Sequence, residues 1–140
     1  MLCILPGVFI SNQDSASQQE ILTLNHIDKV ISVGCKPTAQ FDGIEYIAYT
    51  NLLDTPETKI LPVLLETNQI IDSAIKENHN ILVHCVYGQS RSASVIVSYL
   101  MFSGMTLENS LKVMLEKNPS TCINPGFLAQ LYFLSSCSTE

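Results

Sequence analysis

Cys85 and Arg91 stand with five residues between them in the stretch His84-Cys85-Val86-Tyr87-Gly88-Gln89-Ser90-Arg91-Ser92. The stretch joins a short apolar piece, Ile81-Leu82-Val83, to a largely apolar run from about Ser92 to Phe102. A strand would thus hand over to a helix N-terminus, where unpaired N–H groups and the helix dipole favour an anion. Arg91 is the only arginine among seven basic residues. It is the one side chain able to grip a phosphate with two parallel N–H groups. A cysteine placed there has its thiolate favoured by the same N–H groups and dipole and by the guanidinium. Gly88 supplies the backbone freedom for the intervening residues to curl their N–H groups inward around a tetrahedral oxyanion. The chemistry such a set can do is in-line attack of a thiolate on a phosphoryl group, with charge on the equatorial oxygens stabilised electrostatically. It calls for no metal and no cofactor. His84 would orient Cys85 through neighbouring backbone, and the Ser92 hydroxyl would donate to the sulfur and help it leave in a second step.

A leaving alkoxide or phenolate needs a proton, so a carboxylic acid is expected on another loop. Of the five aspartates, Asp54 is the best placed. It follows the strand expected over Ile44 to Tyr49, in a polar loop able to overhang the strand ends from which the Cys85 loop emerges. Asp14, Asp28, Asp42 and Asp72 read as caps, turns or solvated faces.

The elements that must position these groups can be read along the chain. Leu2 to Leu5, a Pro6-Gly7 turn and Val8 to Ile10 suggest two short strands. A helix capped by Asp14 or Ser15, with Ile21, Leu22 and Leu24 as apolar positions, should end at Asn25-His26. Val30 to Val33 has the β-branched character of a buried parallel strand. A loop over Lys36 to Gly43 and a strand over Ile44 to Tyr49 follow. Ile60 to Ile75 keeps helical spacing, with Pro62 tolerable in the first turn. After the Cys85 loop, the run Ala93 to Phe102 leaves almost no polar face and should be a central helix. Thr106 should cap a helix over Leu107 to Lys117, and Asn124 one that starts near Pro125. Strands alternating with helices predict one α/β domain over residues 1–140, with a small, mostly parallel sheet.

Composition narrows the partners. A net charge of −6 with scattered lysines argues against nucleic acid and against an anionic membrane surface. Five cysteines, an odd number with no C-x-x-C pair, indicate neither a zinc site nor a disulfide framework. Reduced thiols, no basic leader and no long apolar run predict a soluble, cytoplasmic protein with nuclear access open, acting as a monomer. Cys35 and Cys122 read as packing residues, either being able to form a protective disulfide with an oxidised Cys85 if close. His26 and His79 read as surface helix ends, and Tyr46, Tyr49 and Tyr99 as core.

The run His84-Cys85-Val86-Tyr87-Gly88-Gln89-Ser90-Arg91-Ser92-Ala93-Ser94 resembles the signature H-C-x-x-G-x-S-R-S-A of the dual-specificity subclass of cysteine-based protein tyrosine phosphatases. Leu5 to Asp14 is similar to that subclass's opening strand and turn, Asp54-Thr55-Pro56-Glu57-Thr58 to its general-acid loop, and Asn124 to Leu131 to its C-terminal segment. The resemblance implies a single-domain protein tyrosine phosphatase-like fold, in a small atypical member. It implies Cys85 as a nucleophile forming a phosphocysteine and Arg91 as the phosphate clamp. Val86, Tyr87, Gly88, Gln89, Ser90 and Arg91 would be the phosphate-binding loop, Ser92 the aid to breakdown, Asp54 the acid and then base, and Asn124 a brace of the loop. The expected substrate is a phosphoprotein carrying phosphotyrosine, with phosphoserine and phosphothreonine beside it.

Two features depart from the pattern. Tyr87 is bulky where many relatives carry a small residue, and the loop has no basic residue besides Arg91. The missing lysines weigh against phosphoinositides, and the acidic balance against RNA 5′-phosphates. A phosphoresidue-binding scaffold with little turnover and the same chemistry on a non-protein phosphomonoester stay open as alternatives.

Overall fold

A computed structural model describes residues 1–137 of the chain. Its strands are β1 (Leu2–Leu5), β2 (Val8–Ser11), β3 (Ile27–Val33), β4 (Glu45–Tyr49) and β5 (Asn80–His84). The helices are α1 (Gln13–Ala16), α2 (Gln19–Leu24), α3 (Leu61–Lys76), α4 (Arg91–Phe102), α5 (Leu107–Lys117) and α6 (Pro125–Cys137). The five strands form one sheet in the order β1-β2-β5-β3-β4; β1 runs antiparallel to β2, and the other pairs are parallel. The small, mostly parallel sheet flanked by helices is the fold expected from the sequence.

β5 lies between β2 and β3, and its side chains alternate between the two faces. Ile81 and Val83 join Ile31 and Val33 in the larger core, under α3, α4 and α6. Leu82 joins Val30 and Ile27 in a smaller core covered by Ala16 and Leu22. With both faces covered, the middle of β5, Ile81 to Val83, can be continuously apolar, and its end is delivered to the middle of the domain edge. α4 follows directly and is buried from Ser92 to Leu100. Its polar residues are satisfied internally: Ser94 Oγ donates to Ser90 O at 2.7 Å, and Ser98 Oγ to Asn68 Oδ1 at 3.0 Å.

Several expectations need correction. The first helix is two short ones, capped by Asn12 rather than Asp14 or Ser15: Asn12 Oδ1 accepts from Ser15 N at 2.8 Å. The break falls at Ser17, whose hydroxyl donates to Gln13 O at 2.7 Å and accepts from Thr38 N at 2.8 Å. It thereby ties the 36–43 loop to the chain where a continuous helix would have passed. Leu24, expected on the apolar face, is 79% exposed. Tyr46 and Tyr49 are half-buried rather than core. Their hydroxyls bond Phe41 N and Glu66 at the sheet edge. The caps expected at Thr106 and Asn124 are present, accepting from Asn109 N and Phe127 N. Among the described residues no helix is long and apolar enough to cross a membrane.

Candidate active site

The loop 85–90 leaves the end of β5 and enters α4 at Arg91. Its carbonyls are tied outward one after another. Val86 O accepts from Gln13 N at 3.1 Å, Gly88 O from Asn118 Nδ2 at 2.9 Å, Gln89 O from Cys122 N at 2.8 Å and Ser90 O from Ser94 N at 2.9 Å. Holding the carbonyls out turns the opposite ends of those peptide units toward the concave side. Gly88 has φ +74, and a Cβ there would press on Ser11 O at 3.0 Å, so both the curl and the close approach to β2 need a glycine.

Cys85 sits inside this curl, 3% exposed. Its Sγ lies 3.1 Å from Ser92 Oγ and receives Gly88 N at 3.2 Å. Burial pushes the thiol up, but the Ser92 hydroxyl, the N–H groups of Ser92 and Gly88 and the Arg91 charge together hold it below the ordinary thiol value. Arg91 Nη1 donates to Leu52 O at 2.9 Å and is 3.4 Å from Gly34 O, which pins the guanidinium on the loops after β3 and β4. Arg91 Nε is buried with no partner among the described residues.

His84 is fully buried, its Nε2 2.6 Å from Ser32 Oγ on the neighbouring strand, where the two residues are in register. Its Nδ1 is 3.4 Å from Cys85 O and 3.8 Å from Cys35 Sγ. Burial brings its pKa down to about 4 against a weaker upward pull from the Cys85 carbonyl, so the ring is neutral at pH 7. Cys35 is pushed the other way, by burial first and then by the charge on Cys85, against a lowering pull from Arg91, and stays a thiol.

Asp54 arrives on the segment between β4 and α3 and lines a pocket of about 480 Å³ together with Cys85, Arg91 and Asn124. The four residues singled out for chemistry, Cys85, Arg91, Ser92 and Asp54, are therefore brought to one place. Val86, Gln89 and Ser90 complete the loop, with Ser90 Oγ accepting from Asn124 N at 3.1 Å. Asn124 reaches the loop only by that main-chain bond; its side chain donates to Asp54 Oδ1 at 2.7 Å. The side-chain brace of the loop is Asn118, buried just past the end of α5, a residue that sequence reasoning did not single out. Ser32 was missed as well, and neither residue type marks itself in a sequence. Cys122, expected as packing, is exposed and lines the pocket.

The segment that carries Asp54 is strapped to α6. Gln130 Oε1 accepts from Ile60 N at 2.8 Å and Leu61 N at 3.0 Å, and its Nε2 donates to Thr58 O at 2.9 Å. Gly126 lies so close to the Pro56 carbonyl that any Cβ would collide with it.

Comparison with known proteins gives consistent results. A family model described as "Dual specificity phosphatase, catalytic domain" matches residues 8–137. Mouse "Dual specificity protein phosphatase 19" is 33% identical over 91% of this chain and 59% of its own length. Mouse "Dual specificity protein phosphatase 15" is 32% identical over 94% of this chain and 56% of its own. The chain thus spans less than two thirds of these relatives. Among solved structures, human DUSP28 superposes with a TM-score of 0.92 at 25% identity, covering 98% of this chain and 96% of that one.

Proposed function

The chain belongs to the dual specificity phosphatase family, and on that premise we propose that it is a protein phosphatase acting through a phosphocysteine on phosphotyrosine and on phosphoserine and phosphothreonine. The observation that carries the reading is the environment of Cys85 Sγ, with a hydroxyl at 3.1 Å and a backbone N–H at 3.2 Å that both favour its thiolate. The thiolate attacks phosphorus, the ester P–O bond breaks, and Asp54 gives its proton to the departing oxygen. Arg91, with Nε unpaired and Nη1 anchored on Leu52 O, supplies a prepositioned charge for the equatorial oxygens. Water then attacks the phosphocysteine, Asp54 takes up its proton, and the Ser92 hydroxyl stabilises the departing thiolate.

The substrate class rests on the family and on the net charge of −6, which disfavours polyanionic partners. The five cysteines of the chain are all free, in keeping with a reducing, cytoplasmic setting, and we propose a single domain over residues 1–140 that works as a monomer. The test is release of phosphate from an aryl phosphate and from phosphopeptides in the presence of a chelator. Phosphate should appear, rapid quenching should trap phosphate on Cys85, and Cys85→Ser should abolish turnover. Phosphopeptide binding with neither turnover nor a trapped intermediate in the wild type would replace this reading with that of a scaffold.

A further inference from the structure

Tyr87 divides two depressions in the surface. On one side is the pocket over Cys85; on the other is a cavity of about 170 Å³ that shares Tyr87 with it and is lined further by Leu2, Ser11, Asn12, Ser15, Asn118 and Ser120. The wall between them is thin. Gly88 lines the second cavity while its N–H donates to Cys85 Sγ on the other side, so little more than one peptide unit and the Tyr87 ring separate the two. Tyr87 is 76% exposed and makes no ring contact or side-chain hydrogen bond with the other described residues, so the fold itself does not account for its bulk. An exposed, unengaged tyrosine beside a reactive centre presents a large amphipathic surface at low entropic cost, the type of group that anchors recognition.

The distances suit a peptide. An extended chain advances about 3.3–3.6 Å per residue, so a phosphoresidue seated over Cys85 puts its neighbour's side chain within reach of the far face of Tyr87. The second cavity falls below the roughly 300–1,000 Å³ of small-molecule sites and matches a single side chain better. None of the described residues lining it carries an ionised side chain, but Met1 with its amino terminus is among them. A basic occupant would be desolvated there without a partner, whereas a short aliphatic or hydroxyl side chain meets Leu2 on one wall and the hydroxyls of Ser11 and Ser15 on another.

Resting on the phosphatase reading above, the geometry points to this cavity as the subsite for the residue next to the phosphorylated one, with Tyr87 as the specificity-determining divider and a short, non-basic side chain as the occupant. The test uses phosphotyrosine peptides that differ only at the two flanking positions, each carrying Val, Ser, Asp or Lys in turn. Their binding to the Cys85→Ser protein and their turnover by the active one are compared with turnover of a small aryl phosphate. The wild type should favour Val and Ser over Lys at one flank. Ser15→Asp should then raise affinity for the Lys peptide and lower it for the Asp peptide by about two- to fivefold each, the size of one exposed ion pair. Ser15→Lys should do the reverse, and both variants should turn over the aryl phosphate as the wild type does. Equal responses to Asp and Lys peptides in both variants, or no flank preference in the wild type, would overturn the subsite. Absence of aryl phosphate turnover in the wild type would instead overturn the phosphatase reading, with the binding series still deciding on the cavity.

Discussion

Asn124 Nδ2 donates to Asp54 Oδ1 at 2.7 Å, while Oδ1 of the same amide accepts Phe127 N at 2.9 Å at the start of α6. The cap fixes which way the amide faces, and the amide then fixes the carboxylate. One side chain does two jobs, and substitution can separate them. Asn124→Ala should lower turnover of alkyl phosphates about tenfold and leave nitroaryl phosphates within about twofold, because only the poor leaving groups need the proton. Asp54→Asn should show the same pattern more strongly, with alkyl turnover down by ~10²–10⁴. Asn124→Ser keeps a capping oxygen and should restore the ~1 kcal/mol of stability lost with the cap but not the alkyl turnover. A uniform loss across leaving groups would remove Asn124 from the positioning of the acid.

Gly126→Ala pushes on the same segment from the other side. The new methyl cannot occupy the place of the Pro56 carbonyl, so the 54–58 segment must move off α6. Alkyl phosphate turnover should fall about tenfold, while the burst of phosphocysteine from a nitroaryl phosphate keeps its rate in rapid-quench measurements.

Asn118→Ala acts on the Cys85 loop rather than on the Asp54 segment. It leaves the Gly88 carbonyl without its buried donor. The expected cost is about 1–3 kcal/mol in denaturant unfolding. Turnover should fall by the same factor for alkyl and aryl substrates, since the N–H groups facing the phosphate lose their support whatever the leaving group.

His84 makes stability depend on pH in a defined window. In the folded chain it takes a proton only near pH 4, in the unfolded chain near 6.5, so between these values the unfolded state holds more protons. Stability contributed by the neutral ring is therefore complete above about pH 6.5 and is lost as pH falls toward 4. The melting temperature should drop over that range by more in the wild type than in His84→Asn, in which nothing titrates at this position. Parallel curves would show that other groups carry the acid sensitivity.

The parts of the site legible in the sequence were those written in consecutive residues. Cys85, Arg91 and Ser92 belong to one turn between a strand and a helix, and Asp54 stands out because a strand end and a polar loop leave few alternatives. Asn118 and Ser32 were not legible. Their importance arises from meeting Gly88 and His84 across 30 and 52 positions, and the residue types are common in turns and strands. The split of the first helix escaped for a similar reason, since Ser17 turns away from helical continuation to hold Thr38 on a distant loop. Leu24 failed because periodicity marks a face without saying whether anything lies opposite it. α6 shows the same limit: Phe127 and Leu131 are core, while Tyr132 and Phe133 in the same apolar run are 69% and 57% exposed.

The outward tethering of the Val86, Gly88, Gln89 and Ser90 carbonyls means that the dipoles of the loop are already turned before any ester arrives. A cradle of fixed shape has little reorganisation left to perform, which favours the transition state. It is equally indifferent to what the tetrahedral anion was attached to. On the proposed mechanism, free orthophosphate should occupy it as readily as the ester's phosphoryl group, and the same stiffness should then set a ceiling through inhibition by the product.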